Sequence, residues 1–301
     1  MTNRFVPLTA RIGAKVTLSR EDVLSPANAD EINEALERYG VLVFPVIGFS
    51  DEEQVAFSNN LGEIVAIGGL RPDGTRDPVY KISVDPKENP SGAEYIKNTI
   101  GWHIDGLFED GPPPKATLLS GRRLSTTGGQ TEFCSTYAAY DDLPGPEKDY
   151  YEALRIVHTL EASYGATHPN PTPEEQAAWR KVESRRDRMG RRGEKEHPLV
   201  WHHRSGRKSL VLGISVDHVV GLPEGESRAL LRKLSDHSTR REIVYRHEWT
   251  TGYLLMWDNC GVMHRVIPYD PDSGRLMHRT TLYGVEGIKG VEPVKGLERA
   301  S

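Results

Sequence analysis

The sequence predicts an α+β, mainly β fold: an antiparallel barrel or sandwich such as a jelly roll, with flanking helices and a helical insert. Three observations predict it. Short apolar segments bounded by Gly, Pro or Asp recur along the chain, helix and strand signals alternate first before strands dominate, and a charged helical stretch interrupts the series past its middle.

The elements follow in order. "TARIGAKVTLS" reads as an opening strand pair broken at Gly13. "ANADEINEALERYG" carries Ile32, Ala35 and Leu36 at helical spacing, with Gly40 as the stop. "VLVFPV" (41–46) is a short buried strand. In "SDEEQVAFSNNLG", Ser50 and Glu53 form a capping box that starts a helix, and Gly62 ends it. Residues 71–92 are rich in Pro, Gly and charge and read as a loop holding one strand, "VYKISV". "KATLLSG" (115–121), "GQTEFCS" (129–135), "SLVLGI" (209–214), "GYLLMWD" (252–258) and "RTTLYGV" (279–285) are strand candidates. The insert, about 165–196, holds a helix with Thr172 ahead of Pro173, and eight of the residues 180–195 are Lys or Arg. That run reads as a solvated helix or a basic lid. "PEGESRALLRKLSDHSTR" is a second amphipathic helix, with Leu230, Leu231 and Leu234 on one face. With no repeat and no clean linker, residues 1–301 read as one domain.

A chain of 301 residues with 37% hydrophobic and 27% charged residues has ordinary globular chemistry. A net charge of −5 argues against a nucleic-acid partner. No apolar run is long enough to span a membrane, and the first residues lack the apolar core of a secretory signal. The only two cysteines, Cys134 and Cys260, sit in no metal or redox pattern and fit a reducing cytoplasm, although a disulfide between them stays open. "HEWTT" (247–251) starts like a zincin helix but lacks the second His, and no Walker A loop, dinucleotide fingerprint or serine-nucleophile elbow is present.

One stretch carries chemistry. "GWHIDG" (101–106) contains His103-x-Asp105, two-thirds of a two-His, one-carboxylate site that leaves one face of a divalent metal open. In a chain with eleven histidines, chance alone makes such a pair about as often as not. The second His must come from a distant strand, and His264 follows a strongly apolar segment near the C-terminus. Arg275 comes eleven residues later and Arg279 opens the next strand candidate.

With those parts in place, the chain resembles the taurine / 2,4-dichlorophenoxyacetate dioxygenase family of iron(II)- and 2-oxoglutarate-dependent oxygenases, nearly end to end. The matching motifs are "WHID" (102–105), "GGQT" (128–131), "WDN" (257–259), His264 and Arg275, with "HPLVWHHRSGRKSL" (197–210) similar to the family's central stretch. The resemblance implies a double-stranded β-helix (jelly roll, cupin-like) core. It implies His103, Asp105 and His264 as Fe(II) ligands, and Thr131 and Arg275 on the distal carboxylate of 2-oxoglutarate. A guanidinium suits that task because it donates two parallel charge-assisted bonds. Trp257 matches an aromatic lining the iron pocket, and Arg279 a position facing the substrate's anionic group. The implied reaction consumes O2 and 2-oxoglutarate, yields succinate and CO2, and hydroxylates an aliphatic C–H of a small anionic organic substrate. Dimers or tetramers are usual in the family, so a homodimer or homotetramer is the implied assembly.

Departures bear on the substrate. Taurine-specific members carry a His in the stretch that here reads "LGEIVAIGGLRPDG" (61–74), and this chain has none there. Thr99 stands where members place an Asn, with Asn98 beside it, and Ile104 stands where Thr is usual. These point away from taurine to a larger, partly apolar anion: a sulfonate, a sulfate ester, an aryloxy acid or a carboxylate. Ile64, Val65, Ile67 and Leu70 are expected to supply an apolar side of its pocket. His202, His203, His218 and His278 have no assigned metal role. Two other classes compete: a cupin-type metal oxygenase that does not use 2-oxoglutarate, which leaves Thr131 and Arg275 without a task, and a non-catalytic anion-binding barrel, which leaves the triad without one.

Overall fold

A computed structural model describes residues 3–90, 92–188 and 194–291. Its main sheet has seven strands in the order Phe5–Pro7, Ala14–Val16, Val41–Phe44, Leu254–Asp258, Ala116–Arg123, Leu276–Leu282 and Tyr80–Ile82. Neighbours are antiparallel except Ala14–Val16 against Val41–Phe44, which run parallel. A second sheet, Val244–His247, Thr131–Ser135 and Val262–Val266, is wholly antiparallel.

The continuous apolar runs of the central strands follow from where their two faces go. Successive side chains point to opposite sides of a strand. Leu42, Phe44, Leu118, Leu254 and Met256 pack with Ile32, Leu36, Phe57 and Leu61 from the helices Ala29–Tyr39 and Asp51–Leu61. Their neighbours Val41, Val43, Leu119, Leu255 and Trp257 pack with Phe133 and Val262 of the second sheet. The main sheet is therefore covered by helices on one face and by strands on the other, so both faces of its central strands are mainly apolar. Phe57 locks the helical side through edge contacts to Phe44 and Phe49, at 5.4 and 5.7 Å between ring centres.

The two early helices end as the sequence dictates. Ser50 Oγ accepts from Glu53 N at 3.2 Å and Glu53 Oε2 from Ser50 N at 2.8 Å, a reciprocal cap of about 1 kcal/mol. Gly40 stops the first helix at φ +71°, where a Cβ would also lie 2.9 Å from Val262 Cγ2. The opening pair forms, but its first arm is Phe5–Pro7 and not the residues just before Gly13. Val41–Phe44 stops before Pro45, which has no N–H for the ladder.

A third sheet, Val216–Val219, Arg155–His158 and Lys195–Pro198, and the ribbon Val200–His202 with Lys208–Leu210 lie in a separate cluster around Trp201, Leu199 and Ile156. The insert region starts inside the helix Leu160–Thr167 and ends in the strand Lys195–Pro198. Between them the helix Pro173–Arg188 is capped reciprocally by Thr172 and Glu175, and Trp179 stacks on Tyr164 at 4.2 Å and 13°. Residues 189–193 of the basic stretch lie outside the described residues. No helix among the described residues is long and apolar enough to cross a membrane.

Candidate active site

Five sequence motifs meet in one cavity. His103 follows the short helix Lys97–Ile100 and pairs with the outer edge of Val262–Val266. His103 N donates to His264 O at 3.0 Å, and His264 N donates to His103 O at 2.9 Å. That exchange brings the imidazoles to 4.2 Å between ring centres. The His-x-Asp spacing puts Asp105 on the same side of the extended segment as His103. Asp105 Oδ1 lies 3.9 Å from His103 Nε2 and 4.0 Å from His264 Nε2, and ligand atoms of the three residues all fall within 4.8 Å of one another.

Each group is held in a ligand's state. His103 Nδ1–H donates to Gly101 O at 2.8 Å, which leaves Nε2 unprotonated and facing the site. Burial pulls both imidazoles below the usual range, His264 most strongly, so both are neutral. Burial alone pushes the Asp105 carboxyl up, but the Arg279 guanidinium, helped by the hydrogen bond from Thr117, acts against it, and the carboxyl comes down to about 2. Two neutral imidazoles and one carboxylate are what a divalent cation binds. Three such donor atoms within 4.8 Å of one another converge on a space where one cation would sit. The residues fit a metal.

Beyond the triad stands a buried cation. Arg275 is 4% exposed, stacks on Tyr269 at 4.8 Å and donates through Nη2 to Gly129 O at 3.2 Å. Among the described residues no carboxylate pairs with it. The Gly-Gly turn makes this approach possible: Gly128 has φ +67°, and a Cβ there would land 1.9 Å from Pro268 O. Thr131, two residues past the turn, lines the same cavity, and its Oγ accepts from Trp249 Nε1 at 2.9 Å, which leaves the hydroxyl proton free. Trp249 belongs to the "HEWTT" stretch that offered only a failed zincin pattern. Trp257 lines the wall with its ring 4.6 Å from that of His264.

Arg279 reaches in from Leu276–Leu282, with Nη1 3.5 Å from Asp105 Oδ2 and its guanidinium 5.6 Å from the Tyr80 ring. Asn98 is buried, its Oδ1 accepting from Thr167 Oγ1 at 2.9 Å, while its Nδ2 has no partner among the described residues. Ile104, 2% exposed, packs into the core and also borders the cavity.

One expectation needs correction. Ile64, Val65, Ile67 and Leu70 do not line the cavity. Val65 N donates to Thr281 O at 2.8 Å along the outer edge of the sheet, Ile64 turns toward the helical core, and Leu70 is 72% exposed. The apolar wall comes from Ile82, Ile96, Phe108, Ile214 and Val266, whose residue types are those of any core. The other histidines have partners elsewhere: His203 between Glu286 and Ser209, His202 near Glu152, His218 on Asp217, and His278 on Asp51.

Comparisons with known proteins bear on this geometry. Residues 4–281 match the family model described as "Taurine catabolism dioxygenase TauD, TfdA family". The alpha-ketoglutarate-dependent 2,4-dichlorophenoxyacetate dioxygenase of Burkholderia sp. (strain RASC) is 32% identical over 294 residues, covering 91% of this chain and 91% of the relative. The alkylsulfatase of Acinetobacter baylyi is 33% identical over 295 residues, covering 96% and 87%. The crystal structure of AAD-2 in complex with Mn(II) and N-oxalylglycine superposes with a TM-score of 0.76 at 32% identity, over 96% of this chain and 100% of that one.

Proposed function

The chain belongs to the taurine catabolism dioxygenase TauD, TfdA family, and from that premise we propose how its residues divide the work and what substrate they take. It is an Fe(II)- and 2-oxoglutarate-dependent dioxygenase (2-oxoglutarate being alpha-ketoglutarate). When bound, Fe(II) and 2-oxoglutarate supply the oxygen chemistry that couples release of succinate and CO2 to hydroxylation of a substrate C–H.

In our reading, His103, Asp105 and His264 hold the metal on one face. Arg275 and the Thr131 hydroxyl hold the distal carboxylate of 2-oxoglutarate, with Trp257 as the wall between them. The observation that carries this reading is the buried Arg275 with no carboxylate partner among the described residues, in the cavity where three neutral or anionic metal donors converge. A buried guanidinium without an anion is costly, and a dicarboxylate bound across the cavity supplies one.

Arg279 is our candidate for the substrate's anionic group, with Asn98 Nδ2 as a neutral donor and Ile104 as an apolar contact in the same cavity. The wall formed by Ile82, Phe108 and Ile214 fits an apolar body. Together they favour a sulfate ester, a sulfonate, an aryloxy acid or a carboxylate with an alkyl or aryl part, and taurine poorly. The two facing sheets are read as halves of a double-stranded β-helix, a jelly roll of cupin-like form. Residues 1–301 are read as one domain, with 165–196 as an insert seated by Trp179 on Tyr164. Cys134 and Cys260, both free and buried, accord with a reducing cytoplasm.

The test is spectroscopic. Purified protein given Fe(II) and 2-oxoglutarate without oxygen should show a weak visible charge-transfer absorption that needs both additions. A panel of sulfate esters, sulfonates, aryloxy acids and carboxylates, read by succinate release in air, then sorts the substrate. Bound iron with no such absorption on adding 2-oxoglutarate would sink the co-substrate assignment.

A further inference from the structure

Resting on that reading of the metal site, we propose that Thr117 is a positioning residue for Asp105, its hydroxyl aimed by a one-way hydrogen-bond relay that starts at Trp257 and passes through Asn259. The direction is fixed by the first member. An indole N–H only donates. Trp257 Nε1 donates to Asn259 Oδ1 at 3.0 Å, which sets the orientation of the carboxamide. Asn259 Nδ2 must then face Thr117, and it donates to Oγ1 at 2.9 Å. With a donor already placed on its oxygen, the Thr117 hydroxyl sends its own proton to Asp105 Oδ2 at 3.1 Å.

Strand geometry places the members. Trp257 and Thr117 are register partners on adjacent strands, and Asn259 lies two residues beyond Trp257 on the same side. The relay is dry: Thr117 and Asn259 are 0% exposed and Trp257 is 2% exposed, so no water replaces a missing link or reverses its direction.

The consequence falls on the carboxylate. Oδ2 is engaged on the side away from the imidazoles, and Oδ1 alone faces His103 Nε2 and His264 Nε2. Asp105 is thereby offered as a one-oxygen ligand, which keeps coordination positions open for a chelating co-substrate and oxygen. The competitor is Arg279, 3.5 Å from the same Oδ2. Without the Thr117 hydroxyl, nothing else in the relay resists a turn of the carboxylate toward that cation.

The experiment compares Thr117→Val, Thr117→Ala and Thr117→Ser with wild type by anaerobic calorimetric titration of Mn(II) and of Fe(II), beside the melting temperature of each metal-free protein. Loss of the hydroxyl in the Val and Ala variants should weaken metal binding about 10–100-fold. The Ser variant, which keeps the donor, should bind close to wild type. Wild-type metal affinity in both the Val and Ala variants overturns the proposal, and so does a Ser variant as weak as the Val variant, since packing and not the hydroxyl would then be responsible. The Ala variant carries the test if the Val variant does not fold. A wild-type protein that binds neither metal overturns the metal-site reading and this inference with it, an outcome distinct from the first two.

Discussion

The two ends of the cavity are built differently. At the metal end, four polar groups have a neighbour that fixes them, while His264 Nδ1 is buried without a hydrogen-bond partner among the described residues: Gly101 holds His103, Thr117 holds Asp105, Trp249 holds Thr131, and Gly129 holds Arg275. At the end proposed for substrate, Ile96, Phe108, Ile214 and Val266 present apolar side chains, and the polar Asn98 Nδ2 has no hydrogen-bond partner among the described residues. In the proposed function the first end would carry a reaction that does not vary, and holding most of its donors before anything binds suits that role. The second would set specificity, which an apolar wall grades only coarsely, by about 1–3 kcal/mol per methylene.

The largest break in this comparison is at the ligands. His103→Ala or Asp105→Ala should abolish iron-dependent succinate formation, with a loss of metal affinity beyond the 10–100-fold that an outer partner costs. Retained activity in either would place the metal elsewhere. Next comes Arg275→Ala. Removing two charge-assisted bonds of about 1.5–3 kcal/mol each should raise the KM for 2-oxoglutarate by about 100-fold or more, while Mn(II) affinity stays near wild type. Unchanged 2-oxoglutarate dependence would free Arg275 from that role. Asn98→Ala belongs to the other end, where a single neutral hydrogen bond is at stake. The KM for substrate should rise about 2–10-fold with that for 2-oxoglutarate unmoved, and the protein should lose about 0.5–1.5 kcal/mol of stability with the Thr167 hydrogen bond to Oδ1. Equal shifts in both constants would show that the two ends are not separable.

The same difference explains what could be read from the sequence. The residues proposed to hold the metal and 2-oxoglutarate are few and placed by rules that leave a trace: the alternation in His103-x-Asp105, the Gly128–Gly129 turn that only glycine fits, and the apolar strand Leu254–Asp258 that delivers Trp257. The capped helices Ala29–Tyr39 and Asp51–Leu61 were legible for the same reason, since caps and stops are local chemistry. Cavity walls leave no such trace. Phe108 and Ile214 look like core residues, and only tertiary placement separates them from Ile64 and Leu70, which the sequence suggests and the structure moves away. Thr117 inside "KATLLSG" reads as an ordinary strand threonine. The third sheet escaped because its strands are four residues each and mix charged with apolar side chains, as in Lys195–Pro198.

The smallest expected effect lies outside both ends. Val46 follows the strand Val41–Phe44 in a turn where Gly48 N donates to Gly252 O at 2.9 Å. Its φ is +50°, a region that a β-branched residue enters at a cost of about 1–2 kcal/mol. The side chain is 69% exposed, so truncating it forfeits little packing. Glycine would relieve the clash but return about 0.4–1 kcal/mol to the unfolded chain as entropy. Asparagine tolerates positive φ and keeps a Cβ, so Val46→Asn is the better probe. It should stabilise the protein by about 0.5–1 kcal/mol, read as a higher urea midpoint at constant slope. Neither the KM for 2-oxoglutarate nor that for substrate should move, because the turn touches neither wall. A shift in the 2-oxoglutarate KM alone would mean that strain in this turn is transmitted along Leu254–Asp258 to Trp257, and that the locked end of the cavity is held from further away than its own hydrogen bonds indicate.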